Sequence, residues 1–131
     1  EKGIELIIKS SKILDNKNIE HKVIIAGDLE DKRFKKNINK ILFMSKNSKS
    51  IEFIGKLTED QKINFLTQIH TLLLPSTNSF EAFGIVQLEA MNFGKLVIAS
   101  ALNGVKIPIK YSKNGLICKI NDHNDRNNRY P

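Results

Sequence analysis

The sequence predicts an α/β fold, a Rossmann-like parallel sheet with helices on both faces. Three observations point there. Short apolar runs alternate with amphipathic stretches from residue 3 to about residue 120. The connections between them are short, and Gly, Pro or Ser closes most of the apolar runs. Such alternation favours a parallel sheet built from strand–helix–strand units, whose ligands bind beyond the carboxyl ends of the strands.

The elements follow in order. In "GIELIIKSSKIL" (3–14), Ile4, Ile7, Ile8 and Leu14 share one face of an amphipathic helix. "HKVIIAGD" (21–28) reads as a buried strand closed by Gly-Asp. Residues 31–46 are basic, with Phe34, Ile38, Ile41 and Leu42 spaced for a helix. "SIEFIG" (50–55) alternates and stops at Gly55, as a strand does. "LTEDQKINFLTQIH" opens on Thr58 and Gln61, the spacing of a capping box, and continues as a helix ending at His70. "TLLLPS" (71–76) is a strand, residues 84–93 a helix, "KLVIAS" (95–100) a strand and "NGLICKI" (114–120) a last strand. The candidate site is therefore the set of loops after Gly27-Asp28, Gly55-Lys56, Pro75-Ser76 and Ala99-Ser100.

Bulk properties bound the function. The length suits one compact domain with a real core. No apolar run approaches the roughly 18–20 residues of a membrane span, and no secretion signal is recognisable. The single cysteine, Cys118, cannot form an internal disulfide, which fits a reducing compartment. The net charge of +7 comes from 18 lysines against 3 arginines. That balance lacks the arginine and aromatic content of base-reading surfaces, so nucleic acid is not the expected partner. A mild attraction for phosphorylated small molecules or anionic lipid headgroups is compatible with it. His21, His70 and His123 have no carboxylate or cysteine at ligand spacing, so no metal is expected. The chain opens "EKGIEL" without methionine and closes in the polar "NDHNDRNNRYP". Both ends are expected to be cuts in a longer protein, with residues 121–131 a polar tail.

The stretch "SFEAFGIVQLEAMNFGK" (79–95) poses the sharpest question. Winding the helix at about 100° per residue puts Glu89 about 40° from Ile85. The helix is apolar on nearly every side and is expected to be buried, so Glu89 needs a partner. A solvent-reaching helix end or a lysine would also serve. Glu81 stands just before Phe83-Gly84, where a carboxylate is favoured at a helix start. Eight helical residues span roughly 12 Å, beyond the roughly 5–9.5 Å of two carboxylates flanking one bond. The span does suit two parts of one extended ligand. Gly84 permits close backbone approach at a helix N-terminus, where amides favour phosphate.

These residues resemble the signature of the retaining group 1 glycosyltransferases of the GT-B class, which is Glu, seven residues, Glu. Here it is Glu81, "AFGIVQL", Glu89, preceded by "LLLPS" and followed by "EAM", "FGKLVIAS" and "NGLI". "IEFIGKLTEDQ" resembles the strand and loop against the nucleobase, and "EKG" the lysine-glycine pair opening the first helix. The resemblance covers residues 1 to about 120 and implies the C-terminal, donor-binding half of a GT-B fold. It implies that Glu89 holds the ribose and Glu81 the transferred sugar. It further implies that Phe83, Gly84, Ile85 and Val86 contact sugar and diphosphate, Lys2 offsets charge on the leaving diphosphate, and Gly55, Lys56 and Leu57 touch the base. The donor is a nucleotide-diphosphate sugar, with no further cofactor and no metal. The acceptor, a lipid-linked glycan among the candidates, binds an N-terminal domain outside this chain. The implied setting is cytoplasmic, peripheral at the inner membrane face.

The chain departs from the family pattern in places. Lys106 and Ile107 stand where Pro and Glu often occur, and Leu96 replaces a common proline. An arginine-bearing strand normally precedes the lysine, and a C-terminal helix normally crosses back. A catalytically inactive fragment or a nucleotide-sugar binding module is the alternative reading.

Overall fold

A computed structural model describes residues 3–78 and 83–119. Two compact units are found, Gly3–Ile69 and a second from His70 onward. In the first, α1 (Ile4–Asn16) leads to β1 (Val23–Ala26), a 3-10 turn (Lys32–Phe34), α2 (Lys35–Ser45), β2 (Ile51–Gly55) and α3 (Glu59–Gln68). In the second, β3 (Thr71–Leu74), α4 (Val86–Asn92), β4 (Leu96–Ser100), α5 (Ile107–Ser112) and β5 (Gly115–Cys118) alternate. Parallel strands and flanking helices match the expected fold class.

Hydrogen bonding forms two parallel ladders, one in each unit: β1–β2, and β3–β4–β5 with β4 central. The β1–β2 register shifts between Ile25 and Ala26, so Ala26 lies opposite Gly55.

Local chemistry sets the helix ends. α1 stops because Asn18 turns left-handed (φ 55°). This lets the Ile19 amide reach the Leu14 carbonyl and the Asn18 amide reach that of Asp15, each at 3.0 Å. α3 carries the expected capping box: Thr58 Oγ1 accepts from the Gln61 amide, and the Thr58 amide donates to Gln61 Oε1 at 2.9 Å. It ends at Gln68, so His70 lies beyond the helix that the sequence assigns to it. α4 ends where Gly94 (φ 69°) allows the Lys95 amide to return to the Ala90 carbonyl.

α5 is not among the helices expected from the sequence. Pro108 lies in its first turn, where a missing N–H costs nothing. Pro108 and Ile109 are buried. The first unit centres on Ile8, Ile25 and Leu66, the second on Leu74, Ala90, Val97, Ala99 and Val105. α4 packs on β3 and β4, and α5 on β5. No helix among the described residues is long and apolar enough to cross a membrane.

Candidate functional site

The expected site residues fall in both units. In the first, Gly55, Lys56 and Leu57 follow β2. The Gly27 amide donates to the Gly55 carbonyl at 2.8 Å, bringing the carboxyl ends of β1 and β2 together. A side chain added at Gly55 would meet nothing within 4 Å, so this loop surface is open. Lys56 is exposed and Leu57 half-buried. Beside them, Asp28 Oδ1 accepts from the Glu30 amide at 2.9 Å and fixes the turn after β1.

In the second unit, Phe83, Gly84, Ile85, Val86 and Glu89 form the approach to α4 and its first turn. Lys2 and Glu81 lie outside the described residues. Gly84 is buried and left-handed (φ 72°). A Cβ there would fall 2.5 Å from Leu74 Cδ2 and 2.9 Å from Gln87 Nε2. Internal packing therefore already demands glycine at this turn.

The expectation that α4 is buried on nearly every side is wrong. Ile85 is 69% exposed and Leu88 46%, while Gln87 and Ala90 are fully buried. Glu89 is half-buried, next to Ile85 on the more open side. The helix packs on β3 and β4 by one face, and several of its apolar residues lie off that face.

The fully buried polar residue of α4 is Gln87, which the sequence reading passed over. Its carboxamide nitrogen donates to the carbonyls of Phe83 and Val105, both at 2.9 Å. One side chain thus ties the Gly84 turn to the loop after β4. Its Oε1, together with Ser76 Oγ and Ser100 Oγ, is buried without a hydrogen-bond partner among the described residues. Leu74 pairs with Ala99, so Ser76 and Ser100 both lie at the carboxyl ends of adjacent strands. Unpartnered polar atoms in an interior are costly, which makes this end of the sheet a natural place for ordered water or a polar ligand group. The signal for Gln87 was present: an amide among Ile85, Val86 and Leu88.

Other polar groups serve the fold. Ser11 Oγ lies 2.7 Å from His21 Nε2, the spacing of a nucleophile and its base. Ser11 is only 1% exposed, however, and His21 Nδ1 donates to the Ile19 carbonyl at 2.8 Å, not to a carboxylate. The pair is a clasp between α1 and the start of β1. Cys118 Sγ donates to the Ala99 carbonyl, and burial pushes the thiol pKa up, so it is a poor nucleophile. Among the described residues, no cluster of three or more His, Cys, Asp or Glu is placed to hold a metal ion.

The profile of the family described as glycosyl transferases group 1 matches residues 1–129. The chain belongs to that family. An uncharacterized glycosyltransferase of Methanocaldococcus jannaschii is 32% identical over 126 residues, covering 95% of this chain and 32% of the relative. A crystal structure of a glycosyltransferase from Rickettsia africae superposes with a TM-score of 0.74 at 21% identity, over 92% of this chain and 31% of that one. Anabaena HepE, solved with UDP-glucose, gives 0.62 at 21% identity over 77% of this chain and 28% of its own. The chain thus spans about a third of the length of the relatives it matches, and it has the fold of the matching part of these GT-B glycosyltransferases.

Proposed function

We propose that this chain is the donor-binding part of a retaining glycosyltransferase. The enzyme moves a hexosyl group from a nucleotide-diphosphate sugar to an acceptor, without a metal, in glycan biosynthesis. The observation that carries this reading is the α4 segment. A half-buried Glu89 follows a glycine-locked turn at the carboxyl end of a parallel sheet. The likeness of the fold to a protein solved with UDP-glucose supports a nucleotide-sugar ligand.

In this reading, Glu89 accepts hydrogen bonds from the ribose hydroxyls and Glu81 from those of the transferred sugar. Amides from Phe83 to Val86 hold sugar and diphosphate. Lys2 offsets the charge that develops on the leaving diphosphate, where a positioned cation acts most strongly. Gly55, Lys56 and Leu57 touch the base. An N-terminal domain binds the acceptor, and the protein works in the cytoplasm, peripheral to the inner membrane face. A chain spanning about a third of its relatives also fits a module that binds donor without turning it over.

Calorimetric titration with UDP, GDP and ADP at two salt concentrations tests the proposal. Saturable binding with preference for one base is expected. Glu89→Ala should weaken that binding by about 1–3 kcal/mol, the value of a charge-assisted hydrogen bond, and leave the fold intact. A folded but less stable mutant with unchanged affinity would make Glu89 a structural residue. No binding by the folded wild type would sink the donor-site reading for this chain.

A further inference from the structure

The chain's positive charge is densest in one segment. Residues 32–49 hold seven basic residues and no acidic one. The remaining fourteen basic residues equal the fourteen acidic residues of the chain. Residues 95–119 form a second, sparser run of five lysines without an acidic residue, so the densest positive segment is the 3-10 turn, α2 and the residues just after it.

Along α2 and its C-cap residue Lys46 the charge is ordered. Lys36, Lys40, Phe43 and Lys46 recur at i, i+4, i+7 and i+10, on one stripe of the helix, with Lys35 beside it. All four lysines are exposed. The opposite side turns inward: Ile38 and Ile41 are half-buried and Ser45 is buried. At the middle of the lysine stripe, Phe43 is 79% exposed, and Leu42 beside it 39%. Lys40 reaches Glu5 at 2.8 Å, whereas Lys35, Lys36 and Lys46 meet no carboxylate among the described residues.

A ring left in water forfeits the gain from burial, and unpaired lysines around it repel one another. One surface relieves both. We infer that this face of α2 docks on an anionic lipid bilayer, with Phe43 entering the headgroup boundary and the lysines meeting lipid phosphates and carboxylates. Lysine suits this role, because its long stem lies along an apolar surface while its charge stays in the headgroup layer. A nucleic acid is the poorer fit. The segment has one arginine, Arg33, already bonded to Asp31 through Nε and Nη2 and stacked over Phe34 at 5.6 Å. The inference deepens the peripheral placement proposed above by naming the docking face. Its test contains no nucleotide, so its outcome is separable from that of the donor-site reading.

The test is co-sedimentation of the 131-residue chain with vesicles of phosphatidylcholine, with or without about one-third phosphatidylserine, at roughly 100 mM salt. Binding to the anionic vesicles alone is expected, and it should weaken as salt rises. Each lysine near an anionic surface is worth about a fivefold change in partition, so K36E/K46E should lower it at least about 25-fold. Phe43→Ala should lower it several-fold. Phe43→Trp should bind like wild type, with emission shifted to the blue on vesicles. These side chains are exposed, so circular dichroism should match wild type throughout.

Equal partition of wild type and K36E/K46E would overturn the assignment of this face while leaving membrane attachment intact. Wild type that ignores anionic vesicles, including wild type that binds a single-stranded oligonucleotide instead, would overturn both. If the indole emission of the Phe43→Trp variant stays unshifted on bound vesicles, insertion of the ring is refuted.

Discussion

Replacing Gly84 with alanine should destabilise the second unit by roughly 2–5 kcal/mol. Two costs add. A non-glycine residue at φ 72° pays about 1–2 kcal/mol for the left-handed conformation. The new methyl would also stand 2.5 Å from Leu74 Cδ2 and 2.9 Å from Gln87 Nε2, and overpacking of that kind costs about 1–3 kcal/mol. Leu74 can yield by turning its side chain. Gln87 cannot yield as cheaply, because its nitrogen is held by the carbonyls of Phe83 and Val105. Urea unfolding, read together with amide exchange, is the assay. Protection should fall across β3, β4 and β5 while β1 and β2 keep theirs. Gly84→Asn separates the two costs, since asparagine tolerates the left-handed region but keeps the clash. A loss below about 0.5 kcal/mol for Gly84→Ala would refute the reasoning, as would equal loss of protection in both units.

Gln87→Leu should cost about 1–3 kcal/mol by stranding two carbonyls. It should speed amide exchange in the Gly84 turn and in residues 101–106 together, and Gln87→Glu should be worse, because a carboxylate there faces two carbonyl oxygens. Thr58→Ala removes half of the α3 capping box and should cost about 1 kcal/mol by denaturant titration, with loss confined to the first unit. Cys118 should react with a disulfide reagent more slowly than a free thiol at neutral pH, because its raised pKa lowers the thiolate fraction. The rate should climb with pH and after unfolding. The half-buried neutral thiol contributes stability below the ordinary thiol pKa, and that contribution is lost as pH rises from there through its raised pKa.

Much of the fold was legible because its signals are local. Thr58 and Gln61 predicted a cap that is present atom for atom, and Gly94 ended α4 where a left-handed residue was required. Periodicity also placed all five strands within a residue or two. α5 escaped because its six residues offer too little periodicity, and Pro108 reads as a breaker unless it is recognised as a first-turn residue. The register shift at Ile25 and Ala26 follows from pairing with β2, which no local pattern encodes. At the candidate site, Glu89 drew notice because charge is conspicuous in an apolar run. Gln87 did not, since a neutral polar residue reads as exposed; Ser76 and Ser100 were placed at strand ends, but only tertiary packing buries them.

The clasp of the first unit has a practical consequence. Ser11 meets His21 ahead of β1, and Asp15 Oδ1 accepts from Ser50 Oγ ahead of β2 at 2.6 Å. Both contacts grip the amino ends of the two strands, whereas Gly27 and Gly55 lie at the carboxyl ends. The clasp and the proposed base-contact loop therefore occupy opposite ends of one ladder. An engineer could strengthen the grip end by cavity filling or further hydrogen bonds, and raise the melting temperature without redesigning the loops at the other end. Under the donor-site proposal, base preference would then be altered at Lys56 and Leu57 with the β1–β2 register held in place from below.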